Sequence, residues 1–372
     1  MKYQKRYAAL FATSSIFLSS CGLLGSLQNR DVQGSGTSQV LLVASLGRGE
    51  KDGTIESYLI DPGTLSATNT GSMATPSPTF LALDKSGKIL YATNETDSDA
   101  AVSAFGYNRS NGLLTHINSS LILGEAPTYV SIFGNKVVAA NYGSGSITMM
   151  YREPSGALGQ ADWRIELGSK GSSHPHAAVF TPDGKDLFVT DLGLDKVFHF
   201  NISDGIPPIT IDDGGADLPK GTGPRHLLLS KNGDFIYLIA ELSPNIFVFK
   251  RDRGDLTLVQ KVSTGSKSSG AHIALSRDGR YLYTSFRSGG DGIMVHSIGG
   301  TDGTLKQVGF TPTGKHPRQF ALSPDGRFVA VAARDDNSVT FFERDPNFGT
   351  LTPTGTSISV PRPVFILWEE AK

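Results

Sequence analysis

One cysteine, Cys21, is the only thiol in the 372-residue chain. Intramolecular disulfides are thereby excluded, so a folded domain here must rest on a large buried core. No block of lysine and arginine is present: 34 basic residues face 35 acidic ones, for a formal net charge of −1. That balance argues against nucleic acid as the main partner. From Val40 onward no segment is apolar over the about 18 residues that a membrane helix requires, and no stretch keeps a helical period. A Gly-x-Ser-x-Gly nucleophile elbow is missing too, which removes the usual serine-hydrolase arrangement.

The first twenty residues read as an export signal. Lys2, Lys5 and Arg6 precede a short apolar stretch, Ala8 to Leu18, and small residues follow. "LSSC" (Leu18 to Cys21) matches a bacterial lipobox, so Cys21 is expected to carry the lipid of a membrane anchor. The division expected is 1–20 signal peptide, 21–39 lipidated cysteine and Gly/Ser-rich tether, and 40–372 a single folded domain in the bacterial cell envelope. Removing residues 1–20 leaves 31 basic against 35 acidic residues, a net charge of −4.

What fills 40–372 is a repeat. Short β-rich runs, broken by Gly, Asp and Asn, recur behind a Pro-x-x-apolar opening at Pro78, Pro127, Pro175, Pro224, Pro317 and Pro363. A seventh copy is placed at Ala271, with alanine in the proline's position, which gives spacings of 46 to 49 residues. Such a period belongs to propeller blades. Each unit reads as four strands, but the last stops after one, at Trp368. "VLLVASLG" (Val40 to Gly47) and "GTIESYLID" (Gly53 to Asp61) align with second and third strands. The expected fold is therefore all-β: a seven-bladed propeller of four-stranded antiparallel blades, closed by pairing the N-terminal strands with the C-terminal one.

Scaffold repeats the same residue type in every blade, so chemistry shows where the copies differ. The residue after each opening proline is Thr79, Thr128, His176, Arg225, His272, Arg318 or Val364. At the end of the second strand the series is Leu46, Glu95, Tyr142, Leu192, Glu241, Arg287 and Arg334. Equivalent positions lie at one level of every blade and converge near the axis. Solvated ion pairs lining a channel would be one explanation. A site for an anionic or polyhydroxyl small molecule is the other, since guanidinium forks with nearby carboxylates and imidazoles suit such a ligand. His174, just ahead of its strand, reads as a hydrogen-bonding loop residue. A metal site from His174, His176 and Asp191 lacks any further ligand at motif spacing, so no metal and no cofactor are expected.

Taken together, "HPHAAVFTPDGKDLFVTDLGLDKV", "GTGPRHLLLSKNGDFIYLIAEL", "VVAANYGSGSI" and "PRQFALSPDGRF" resemble the seven-bladed propeller lactonases. That family includes the propeller-type 6-phosphogluconolactonase and the fungal carboxy-cis,cis-muconate cyclase. The resemblance runs from about Leu41 to Trp368 and implies opening or closing of a lactone ring without a metal. It also implies catalytic roles for His176, Arg225, Glu241 and Arg287. Glu95, Asn141, Asp191, His272 and Arg318 are then expected to bind the substrate. The expected activity is hydrolysis of a sugar-type or anionic lactone by a monomer. A non-catalytic surface propeller or a muconate-type cycloisomerase is the alternative.

Overall fold

The computed structural model describes residues 38–47, 52–265 and 269–372. The signal segment, Cys21 and the tether up to residue 37 lie outside the described residues. Twenty-eight strands, β1 to β28 in chain order, form antiparallel sheets of four. Seven strands stand innermost and touch one another in a closed ring around the axis. They are β4 (Pro78–Leu83), β8 (Pro127–Phe133), β12 (Pro175–Phe180), β16 (Pro224–Leu229), β20 (Ser269–Leu275), β24 (Pro317–Leu322) and β28 (Pro363–Glu370). The chain belongs to the architecture expected from its repeat: a seven-bladed propeller.

Closure follows the expected route. β1 (Gln39–Ser45) lies between β28 and β2 (Thr54–Ile60), and β3 (Ala67–Ala74) completes the blade. Its register with β28 runs from Ser45↔Pro363 at one end to Gln39↔Glu370 at the other. Every residue of β1 is buried, as a strand covered on both faces should be. The outermost strands alternate instead, with exposed and half-buried residues along β3.

Local chemistry explains the repeated hairpin. In "TPDGKD" the Gly184 N–H donates to the Thr181 carbonyl at 2.9 Å with φ at +70°, a conformation that favours glycine. A Cβ on Gly184 would lie 2.0 Å from the Phe133 ring, so this turn also seats the neighbouring blade. Tyrosines in the second strands tie blades together: Tyr91 donates to the Gly156 carbonyl and Tyr283 to the Gly349 carbonyl, both at 2.8 Å. The apolar clusters likewise cross blade boundaries; one joins Leu42, Phe80, Tyr91, Val130 and Phe365. At one place the outer strands of two blades meet: β15 (Ile209–Asp217) and β19 (Asp255–Ser263) share a single parallel bridge at Gly215↔Asp255.

A polar residue sits in this core without partners. His296, on β22 (Gly292–Ile298), has no exposed surface, and neither ring nitrogen has a hydrogen-bond partner among the described residues. Burial lowers its pKa to about 4. Below the unfolded value of about 6.5 the unfolded chain takes up a proton that the native protein refuses, so stability is lost as pH falls toward 4. His296→Leu, which keeps the volume and removes the buried polar atoms, is expected to raise stability by about 1–3 kcal/mol at pH 7. The gain should be larger at pH 5, as read by urea unfolding. Equal or lower stability at both pH values would show that the imidazole has a buried partner.

Candidate active site

The inner strands share a device that aims side chains at the axis. In each, pairing with the second strand slips by one residue just after the opening position. Pro175 pairs with Asp191 and Ala177 with Thr190, which leaves His176 as the extra residue of a β-bulge. Arg225 is the extra residue between Pro224↔Ala240 and His226↔Ile239. Arg318 occupies the same place between Pro317↔Ala333 and Gln319↔Ala332. The backbone N–H freed by the bulge is taken by a hydroxyl on the second strand: Ala177 donates to Thr190 Oγ1, Phe80 to Thr93 Oγ1 and His272 to Ser285 Oγ, each at 3.0 Å.

These bonds correct the expected position of His272. His272 is equivalent to Phe80 and Ala177, so Gly270, paired with Phe286, stands in the proline's place and Ala271 fills the ring position. His272 thus lies one level below. Asn141 and Asp191 are corrected for a related reason. They end the second strands β9 (Lys136–Asn141) and β13 (Asp186–Asp191), one residue before the ring position, and are fully buried. Asn141 donates to Ser146 Oγ and Thr148 Oγ1. Asp191 accepts from the backbone of His174, Gly193 and Leu194 and from the Ser173 hydroxyl. Asn141 thus braces the adjoining strand β10 (Ser146–Arg152) and Asp191 braces loops, and neither lines the cavity.

The remaining expected residues converge. His176, Arg225, Glu241, Arg287, Glu95 and Arg318 line a polar cavity of about 340 Å³ at the mouth of the inner strands, with Tyr142 and His316 also in its wall. Below it, aromatic side chains fill the axis: Phe80 lies 3.9 Å from Tyr129 and 4.5 Å from Phe365, and Tyr129 lies 5.7 Å from His226, ring centre to ring centre. The cavity is therefore a cup with a floor.

Its charges are organised around Glu241. Arg225 Nε donates to Glu241 Oε2 at 2.8 Å and Arg287 Nη2 to Oε1 at 2.7 Å. Burial pushes the Glu241 carboxyl up, but Arg225, Arg287 and Arg318 outweigh burial and hold it below the usual carboxylate range. An ionised, doubly engaged carboxylate holds its two arginines in place, so proton donation by Glu241 is excluded in this arrangement. Arg225 is almost wholly buried; its Nη1 also donates to the Ala271 carbonyl and to His226 Nε2. A guanidinium only donates, so His226 carries its proton on Nδ1 and gives it to His272 Nδ1 at 3.1 Å. His226, which sequence reasoning passed over, thus positions Arg225 from beneath. Its signal was its alignment with His272 across two blades.

His176 is buried and its Nδ1 has no hydrogen-bond partner among the described residues. Burial, then Arg225, Arg318 and Arg287, holds its pKa well below 6.5, so the imidazole is neutral at physiological pH. Tyr142 packs edge-on against it at 5.7 Å and is itself stacked on His174 at 4.5 Å. His174 donates through Nδ1 to the Tyr142 carbonyl at 3.0 Å, which makes it a bracing loop residue. His316, directly before the opening proline Pro317 as His174 is before Pro175, stands 3.5 Å from Arg287 through Nε2. Burial, then Arg334 and Arg287, lowers its pKa to about 4.

Comparison with known proteins agrees with the propeller fold. Residues 40–368 match the family described as "Lactonase, 7-bladed beta-propeller", and the chain belongs to that family. A 6-phosphogluconolactonase of Bacillus subtilis is 30% identical over 305 residues, covering 78% of this chain and 86% of the relative. One from Formosa agariphila is 31% identical over 291 residues, covering 73% and 82%. The solved structure of a periplasmic gluconolactonase from Pseudomonas aeruginosa superposes with a TM-score of 0.85 at 27% identity, covering 90% of this chain and all of that one.

Proposed function

We propose that the cup is the active site of a metal-independent lactonase acting on a sugar-type lactone. The observation that carries this reading is the neutral His176 set beside two guanidiniums fixed by one carboxylate. Hydrolysis requires a bond from water oxygen to the acyl carbon, and cleavage of the bond from that carbon to the ring oxygen. His176 takes the proton of the attacking water and returns it to the departing alkoxide. Arg225 and Arg287 stabilise the oxyanion of the tetrahedral intermediate; being already fixed by Glu241, they need little reorganisation to do so. The arginines that disfavour a charged His176 at rest are countered by the oxyanion as it develops. Imidazolium thus becomes accessible when it is needed.

Acid release in a pH-stat from aldonolactones with and without a 6-phosphate tests this. Enzyme-dependent release is expected, and His176→Ala should lower kcat/KM by about 10²–10⁴-fold. Because the His176 pKa is depressed, the free base persists well below pH 6.5, so kcat/KM should be level from pH 6 to 8 after correction for spontaneous hydrolysis. No release from any lactone, or an acid limb near pH 6.5 that His176→Ala removes, would overturn the assignment.

A further inference from the structure

One pair in the cup is left unsatisfied. Glu241 engages Arg225 and Arg287, but the third guanidinium, Arg318, has Glu95 as its only ion partner among the described residues, Nη2 to Oε2 at 3.6 Å. That distance is beyond hydrogen bonding. Glu95 Oε2 is buried without a hydrogen-bond partner. The two side chains remain partly open, 26% exposed for Glu95 and 17% for Arg318. An acceptor and a donor thus stand at the wall of one small cavity, each lacking a hydrogen-bonded complement among the described residues.

We infer that Glu95 and Arg318 select a neutral polyhydroxy lactone and discriminate against its phosphorylated form. This rests on the preceding reading of the cup as a lactonase site. A hydroxyl complements the pair because it both donates and accepts: its hydrogen goes to the Glu95 carboxylate and its oxygen receives an Arg318 N–H. A phosphate dianion satisfies Arg318 only. It brings two negative charges against the Glu95 carboxylate inside a confined cavity, where like charges repel strongly. The other two guanidiniums are partly neutralised by Glu241 and, in the preceding reading, serve the oxyanion at the acyl carbon, so they are committed to the reacting end of the substrate. Three cations against two anions leave the cup only one net positive charge.

Binding of glucono-δ-lactam and its 6-phosphate, which lack the scissile ester, measures the selection apart from turnover. By calorimetry, the wild-type protein is expected to bind the neutral lactam about tenfold or more tighter. Glu95→Gln, which keeps the shape and removes the charge, should bring the two within about threefold or invert the order. The kcat/KM ratio for the corresponding lactones should move in the same direction. Tighter wild-type binding of the phosphorylated lactam would overturn the inference. So would an unchanged ratio in a Glu95→Gln protein with wild-type circular dichroism. Discrimination between the lactams without turnover of any lactone leaves the Glu95 selection standing and removes the hydrolase reading. Turnover without discrimination does the reverse.

Discussion

Arg225→Met should lower kcat/KM for lactone opening by on the order of 10³-fold, near the upper end for removal of one oxyanion donor. More than one contact is lost. Arg225 is the side chain through which Glu241, the Ala271 carbonyl and His226 are held together. Without it, two buried acceptors lose a donor and Glu241 keeps only Arg287, so folding stability should also fall, by about 3 kcal/mol. Arg225→Lys separates the two effects. An ammonium retains the positive charge but cannot present a planar fork to three acceptors at once. Stability should therefore recover in part while kcat/KM stays about 10²-fold down. Near-wild-type kcat/KM in the lysine variant, measured on protein with a cooperative melt, would reduce Arg225 to a simple charge.

The second large effect concerns closure. Truncation after Arg362 removes β28, with Val364, Phe365, Ile366 and Trp368, all buried. Burial of each such side chain contributes about 1.5–3 kcal/mol, so the four together contribute about 6–12 kcal/mol, comparable to the about 5–15 kcal/mol that holds a typical domain folded. The loss of area is only part of the damage. β1 would become an unpaired edge of buried apolar residues, a template for aggregation. The truncated chain is expected to lose its cooperative melt and precipitate. Trp368→Ala is the graded version: the ladder stays, and urea unfolding should show a loss of about 3–5 kcal/mol. A soluble truncated protein that melts within a few degrees of the full chain would mean that ring closure does not hold the blades together.

Blade number and closure were legible in the sequence because each copy of the unit carries its own turn and apolar alternation. The site was legible in part, and its errors share one cause. Side chains on a strand alternate between faces, so a shift of one residue changes what a position does. His272 was aligned on a missing proline rather than on the turn that follows it. Matching "LSKNG" (Leu229 to Gly233) with "LSRDG" (Leu275 to Gly279) would have set it against His226. Asn141 and Asp191 adjoin ring positions in sequence, but Asn141 bonds to the adjoining strand and Asp191 to the loops beside it. His316 holds the place just before the opening proline that His174 holds in its own blade, a place set aside as loop, although here the imidazole reaches the cavity wall. The partner of Glu241 was also out of reach, since the repeat brings carboxylate, imidazole and guanidinium to one level but does not say which pair meets.

The register of β1 with β28 has a bearing on how the molecule is presented. Ser45 and Pro363 meet at the end where the inner strands open, beside the cup, whereas Gln39 and Glu370 meet at the far end. Both ends of the propeller chain thus depart together from the face opposite the cup. A support, a fusion partner or a surface joined through Ser38 or Lys372 would sit behind the molecule like a stalk behind a flower. The cup would then look outward, and nothing attached at either end need stand in the path of an arriving small molecule.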